Sequence, residues 1–297
     1  MKFLISGSSG LIGSALASAF GAAGHEIVRL VRHRSGQPGN VVWDPLGESM
    51  EPAPLEGVDV VVHLSGESLA DGRWTNAKKK RFWDSRVCST SLLSKTLAQL
   101  QRQPSLMISA SAVGFYGDRG EEILTEDSPA GTGFVADLCR EWEGASAVVA
   151  AAGVRVIHMR LGIVLARNGG ALPKMLTPFR LGLGGIIGSG RQFVGWIALE
   201  DVVGAVMHLI DRSQLAGAVN FVAPQEVTNR QLTKTLGRVL HRPTLIAIPA
   251  LAAQIAFGEM ANELLLASAR VTPRRLLDDG FVFAYPQLQA ALEHALS

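Results

Sequence analysis

Met1-Lys2-Phe3-Leu4-Ile5-Ser6-Gly7-Ser8-Ser9-Gly10-Leu11-Ile12-Gly13 sets a short apolar run against a glycine triplet spaced G-x-x-G-x-x-G, and an alanine-rich stretch follows. The run reads as a strand and the stretch as a helix, with Gly24 as its stop. His25-Glu26-Ile27-Val28-Arg29-Leu30-Val31-Arg32 then reads as a second strand that closes a βαβ unit. In such a unit each glycine has its own task. Gly7 makes the tight turn, Gly10 lets the backbone approach a pyrophosphate, and Gly13 lets the helix pack closely on the strand. Phosphates would sit on the free N–H groups at the helix start, within the segment Ser8, Ser9, Leu11 and Ile12. The stretch therefore predicts a dinucleotide cradle.

A competing reading takes Lys2 and the apolar run through Ala23 as a secretory signal, with cleavage at Ala15-Leu16-Ala17 or Ala17-Ser18-Ala19. A signal needs neither regularly spaced glycines nor an immediate second strand, so a cytoplasmic location is expected. The 297 residues hold two cysteines, Cys88 and Cys139, too few for a disulfide framework and without a metal-ligand cluster. Both are expected to be buried helix residues. The chain is 47% hydrophobic, yet Pro, Gly or a charge interrupts every run before the length of about 18 residues that spans a bilayer. No membrane helix is expected. The net charge is +2 and the longest basic block is Lys78-Lys79-Lys80-Arg81, read as a solvated helix face, which gives no field to attract nucleic acid.

Further along, strand patterns alternate with helical ones. Val41-Val42-Trp43, Val58 to Leu64, Leu106 to Ser109 and Val154 to Met159 are continuous apolar runs, as parallel strands covered on both faces require. Asn76 to Leu100 and Phe134 to Ala152 have helical spacing, the latter stopped by Gly153. The alternation predicts an α/β fold, a Rossmann-type doubly wound parallel sheet, over residues 1–168, with later segments able to return to the sheet. From Gly169 the pattern changes to a glycine-rich stretch, Gly182 to Gly195. Mostly helical segments follow at Thr228 to Arg242, Pro249 to Arg270 and Tyr285 to Leu296. Residues 169–297 are thus expected to form a smaller, mostly helical substrate lobe closing over the cofactor.

The end of the second strand selects the dinucleotide. An Asp or Glu there accepts from a ribose 2′-hydroxyl, whereas a 2′-phosphate needs cations. This chain has Arg32, His33 and Arg34. Arg32 can stack on adenine and fork onto a phosphate, so NADP(H) is favoured over NAD.

The glycine triplet, His63-Leu64-Ser65-Gly66, Ser109-Ala110-Ser111, Phe115-Tyr116-Gly117 and Arg160-Leu161-Gly162-Ile163-Val164-Leu165 together resemble the extended short-chain dehydrogenase/reductase superfamily in its NAD(P)-dependent epimerase/dehydratase branch. Trp196-Ile197, Asp201 and Gly217-Ala218-Val219-Asn220 continue the likeness into the second lobe. Gly66-Glu67, Arg73-Trp74, Ser85-Arg86, Trp142-Glu143 and Pro178 to Gly185 resemble, more narrowly, a little-characterised group of epimerase-family NADP-binding oxidoreductases. The resemblance implies that His63 belongs to the cofactor site, that Leu64 and Ser65 line the adenine-ribose side, and that Gly66 and Glu67 continue toward the nicotinamide. Lys80 and Ser85, five apart, would present an ammonium and a hydroxyl to the ribose or phosphates; the alternative is a charged helix surface. Arg160 and Leu161 would pass beside the nicotinamide, unless Arg160 is a structural strand-end residue.

The chemistry departs from the superfamily. Hydride transfer to or from a carbinol needs a proton donor or acceptor, usually a Tyr whose pKa a Lys lowers in a Y-x-x-x-K pair. Counted from Ser111, the pair falls near position 134, where the chain reads Phe134-Val135-Ala136-Asp137-Leu138, with neither phenol nor ammonium. Ser111 and Tyr116 remain as candidate catalytic hydroxyls; a strand-end hydrogen bond and a loop anchor are their structural alternatives. Tyr285 lies too far along the chain. Asp137 and Glu141 read as solvated helix carboxylates. The pyrophosphate-clamping Arg of sugar-nucleotide epimerases is also out of register, Arg191 being its nearest substitute, so a UDP-sugar is disfavoured. The Gly182 to Gly190 loop with Phe193 and Trp196 suggests a flexible, partly apolar rim, or else core aromatics and turns. The leading expectation is an NADP-dependent oxidoreductase acting on a small carbonyl or alcohol. The alternatives are an NADPH-binding sensor or scaffold without turnover and a sugar-nucleotide epimerase.

Overall fold

Apolar runs without polar alternation bury both faces, and they assemble side by side. In the computed structural model, which describes residues 1–33 and 39–297, eight strands form one sheet. They are β1 (Lys2–Ser6), β2 (Glu26–Val31), β3 (Asn40–Asp44), β4 (Ser49–Met50), β5 (Val60–His63), β6 (Leu106–Ala112), β7 (Arg155–Leu161) and β8 (Gly217–Phe221). Their order is β8-β7-β6-β5-β1-β2-β3-β4, and every pairing is parallel except the edge hairpin β3–β4. The register sets Phe3 against Val60 and Ser6 against His63, so the carboxyl ends of β1 and β5 lie level.

Successive strand residues point to opposite faces, and each face has its own helices. These are α1 (Leu11–Ala22), α2 (Asn76–Trp83), α3 (Ser89–Ala98), α4 (Phe134–Gly144), α5 (Ala147–Ala151), α6 (Leu172–Arg180) and α7 (Leu199–Asp211). Phe3 and Ile5 pack with Leu16 and Phe20 of α1 and Val202 and Val206 of α7. Leu4, on the other face, packs with Leu93 and Leu97 of α3 and Val149 of α5. Burying a side chain of this kind stabilises by about 1.5–3 kcal/mol. That exceeds the cost, on the order of a few tenths of a kcal/mol, of having Gly10 rather than a side-chain cap at the start of α1.

The structure adds three details that the sequence did not specify. The helical pattern from Asn76 to Leu100 is split by a π-helical turn, Asp84–Cys88. Leu199–Asp211 and Gly217–Phe221, beyond residue 168, belong to the main sheet's layers. The remaining carboxyl-terminal part is helical but also carries short strand pairs. Ile163–Leu165 runs beside Trp196–Ala198, Gly185–Ile187 beside Ile246–Ile248, and Phe193–Val194 beside Val227–Thr228. Trp196 is core rather than rim, 1% exposed, with its indole N–H donated to Gln225 O. Among the described residues no helix is long and apolar enough to cross a membrane. Nor does any group of His, Cys, Asp and Glu among them suit a metal ion.

Candidate active site

Strand order reverses at β1, whose neighbours are β2 on one side and β5 on the other. Ligands of open α/β sheets bind outside the carboxyl ends of the strands at such a switch point. Gly7 follows β1 with φ +67°, and a Cβ there would lie 2.8 Å from Leu64 O. A Cβ on Gly13 would lie 2.2 Å from Gly7 O, so α1 starts in direct contact with the turn. Gly10 differs, since among the described residues Gly7 O, at 3.3 Å, is the only heavy atom beyond its chain neighbours that its added Cβ would approach within 4 Å. Ser9 and Gly10 are exposed, and α1 has no side-chain cap and no acidic residue in its first turn. The leading N–H groups at Leu11, Ile12 and Gly13 therefore suit an anion. Arg32 and His33, just past β2, are exposed, while Arg34 lies outside the described residues.

His63 has an interior setting. It is 0% exposed, with Nδ1 2.7 Å from Ser6 Oγ and Nε2 2.9 Å from Thr90 Oγ1. Burial pulls its pKa down to about 3, so the ring is neutral at pH 7. Ser6 Oγ in turn accepts from Leu64 N–H at 3.1 Å, and Thr90 Oγ1 accepts from the Trp142 indole N–H at 3.0 Å. The imidazole thus ties the end of β5 to β1 and to α3 from the interior. Because its pKa is lowered in the folded state, the unfolded chain binds the extra proton between pH 3 and 6.5. Stability should be full above about pH 6.5 and fall toward pH 3 with a slope approaching 1.4 kcal/mol per pH unit. Denaturant titrations across that range, compared with His63→Gln, should show the slope reduced in the variant.

The two candidate hydroxyls lie on one buried chain of hydrogen bonds. Ser111 Oγ donates to Glu143 Oε1 at 2.7 Å. Arg160 grips the same carboxylate with both arms, Nε to Oε1 at 2.8 Å and Nη2 to Oε2 at 2.9 Å. Its Nη1 donates to Tyr116 Oη at 3.0 Å, and Tyr116 donates to Asn220 Oδ1 at 2.7 Å. The guanidinium also lies 3.4 Å from the Phe115 ring centroid. The sequence left Tyr116 open as a proton donor, but it is 0% exposed, its hydroxyl is engaged on both sides, and burial raises its pKa. Arg160, 5% exposed, faces this network rather than the cleft. Leu161 is half-buried at the end of β7, paired with Phe221 and Ala112.

Lys80 and Ser85 have separate partners. The Lys80 ammonium is paired with Asp84 at 2.6 Å on an exposed surface. Ser85 Oγ accepts from Glu67 N–H at 3.0 Å and donates to Phe82 O, holding the loop after β5 to the π turn. The Glu67 carboxylate accepts from Arg81 Nε. Glu143 and Asn220 received no role from the sequence. The signal available for Glu143 was that a strand-end Arg160 inside a sheet needs a counter-charge.

A doubly wound sheet with this cradle at its switch point defines a protein of the extended short-chain dehydrogenase/reductase superfamily. The chain belongs to the NAD dependent epimerase/dehydratase family, whose model matches residues 3–221. Residues 248–295 match a domain of unknown function, DUF1731. An epimerase family protein of Mycobacterium tuberculosis is 42% identical over 291 residues, covering 98% of this chain and 96% of its own. The human epimerase family protein SDR39U1 is 36% identical over 300 residues and the whole of both chains. Its crystal structure with NADPH superposes with a TM-score of 0.91 over 99% of each chain at 35% identity. A nucleoside-diphosphate sugar epimerase from Corynebacterium glutamicum gives 0.82 at 38% identity, over 100% of this chain and 58% of its own.

Proposed function

We propose that this protein is an NADP(H)-dependent oxidoreductase acting on a small carbonyl or alcohol. The observation that carries the reading is the opening above Gly10, bounded by an uncapped helix start, with Arg32 exposed just past the end of the neighbouring strand β2. That opening fits a pyrophosphate, and the solved human relative, which has NADPH, supports the choice of cofactor. NADPH, when bound, supplies a hydride to the substrate carbon. The protein's part is to orient both molecules. Gly7 to Gly13 hold the pyrophosphate, Leu64 and Ser65 line the cofactor, and Ser111, fixed by Glu143, sets the polarity at the exit of β6.

The sealed Tyr116 and the absence of a phenol or ammonium at Phe134 and Leu138 favour a second reading, a protein that binds NADPH without turnover. Calorimetric titration with NADPH, NADP⁺, NADH and NAD⁺, followed by a screen of carbonyl substrates, separates the two. Consumption of NADPH supports the enzyme, and binding without consumption by any substrate supports the sensor. Arg32→Asp should weaken NADPH binding by roughly 2–4 kcal/mol and spare NADH, because attraction to the 2′-phosphate becomes repulsion. Equal losses for both cofactors would remove Arg32 from that role.

A further inference from the structure

Arg86 is a buried cation with no ion-pair partner among the described residues, the Glu67 charge acting on it only from beyond contact distance. It is 8% exposed, and no Asp or Glu lies within ion-pair distance of it among the described residues. Only Nη1 is engaged, donating to Phe82 O at 3.3 Å and to Ser85 Oγ at 3.5 Å. The Glu67 carboxylate is taken by Arg81, and burial pushes the Cys139 thiol up to about 12, which keeps it neutral. The guanidinium itself, drawn down to about 10 by burial, stays charged at pH 7.

The geometry around it is selective. Its Cζ lies 5.0 Å from the centre of the Trp142 ring. A Cβ added to Gly66 would meet Cζ at 3.2 Å, Nη2 at 3.3 Å and Nε at 3.4 Å. Near-equal distances with Cζ the shortest place Gly66 over the guanidinium face rather than in line with its Nε–Nη2 edge. Neither nitrogen on that edge has a hydrogen-bond partner among the described residues, and neither is sealed from solvent. The π turn Asp84–Cys88 carries this side chain, and π turns interrupting helices recur at functional sites. An edge of two parallel N–H groups matches the two oxygens of a carboxylate. The cofactor's phosphates have donors elsewhere, at the start of α1 and at Arg32.

We propose that the Nε–Nη2 edge of Arg86 receives a carboxylate of the substrate, which makes the substrate a small oxo acid or hydroxy acid. This rests on the reading of the cleft as an NADP(H) site. The test is titration of the NADPH-loaded full chain with oxamate, a carboxylate beside a carbonyl, and with uncharged oxamide. The wild type is expected to bind oxamate and not oxamide. Arg86→Gln should weaken oxamate by roughly 30-fold or more while leaving NADPH affinity within about 3-fold. Arg86→Lys, which keeps the charge and loses the fork, should fall between, and it serves if the Gln variant fails to fold. NADPH binding without oxamate binding, or unchanged oxamate binding in Arg86→Gln, overturns the proposal and leaves the cofactor site intact. A large loss of NADPH affinity in Arg86→Gln assigns the edge to the cofactor instead. Failure of the wild type to bind NADPH removes the underlying reading and this proposal with it.

Discussion

Gly10→Val should abolish NADPH binding while the chain remains folded. Both halves follow from the surroundings of Gly10. Among the described residues an added Cβ at Gly10 comes within 4 Å of Gly7 O alone, at 3.3 Å, a tight contact that the turn relieves by a small shift, so the branched side chain is expected to extend into the crevice. The residue has φ −76° and ψ 173°, an extended conformation that valine adopts readily. Stability should therefore change by less than about 1 kcal/mol, within the range of surface substitutions. A pyrophosphate resting on the N–H groups at Leu11 to Gly13 must pass through the volume the isopropyl group takes. Its loss removes charge-assisted hydrogen bonds that no other donor replaces, and affinity should fall by about 1,000-fold or more. Gly13→Val is the contrasting variant: there the Cβ stands 2.2 Å from Gly7 O, so folding itself should suffer. Calorimetry with NADPH, alongside thermal melts of both variants, checks the distinction. Micromolar binding retained by Gly10→Val would mean that the pyrophosphate does not lie over this glycine.

The sequence made the sheet and the cradle legible because both depend on short-range patterns. The run Val60-Val61-Val62 is apolar on both faces whatever lies beside it, and the glycine triplet encodes a turn and a close approach within a single βαβ unit. The second lobe was less legible, since a strand of two residues such as Val227–Thr228 has no periodicity to read. The site's polar interior depends on distant partners. His63 looks like a cleft residue until Ser6, 57 residues earlier, and Thr90, 27 later, occupy its two nitrogens. Ser111 and Tyr116 are five residues apart, yet what joins them is Glu143 and Arg160, from α4 and β7. Arg86 sat within what read as one continuous helical pattern, whereas in the structure it is a buried residue of the π turn Asp84–Cys88.

Glu143→Leu should destabilise the protein by about 3–5 kcal/mol, because it leaves Arg160 charged and unpaired inside the fold. The Arg160 side chain is 5% exposed and that of Glu143 is 11% exposed, too little for water to replace the lost carboxylate. The same change leaves the Ser111 hydroxyl without its acceptor. A loss of this size is a large part of the 5–15 kcal/mol that ordinarily separates folded from unfolded chains. Adding Arg160→Met should restore most of it, since a buried ion pair exchanged for apolar groups of similar volume is often neutral or stabilising. The rescue has a limit in this fold. Tyr116 Oη loses the donor at 3.0 Å when the guanidinium goes, but its own donation to Asn220 at 2.7 Å persists, so the phenol keeps one partner rather than none. Urea titrations of the single and double variants measure both terms. A single-variant cost below about 1 kcal/mol would mean that solvent already reaches this pair. A double variant as unstable as the single would place the energy in the Tyr116 and Phe115 contacts of the guanidinium rather than in its charge.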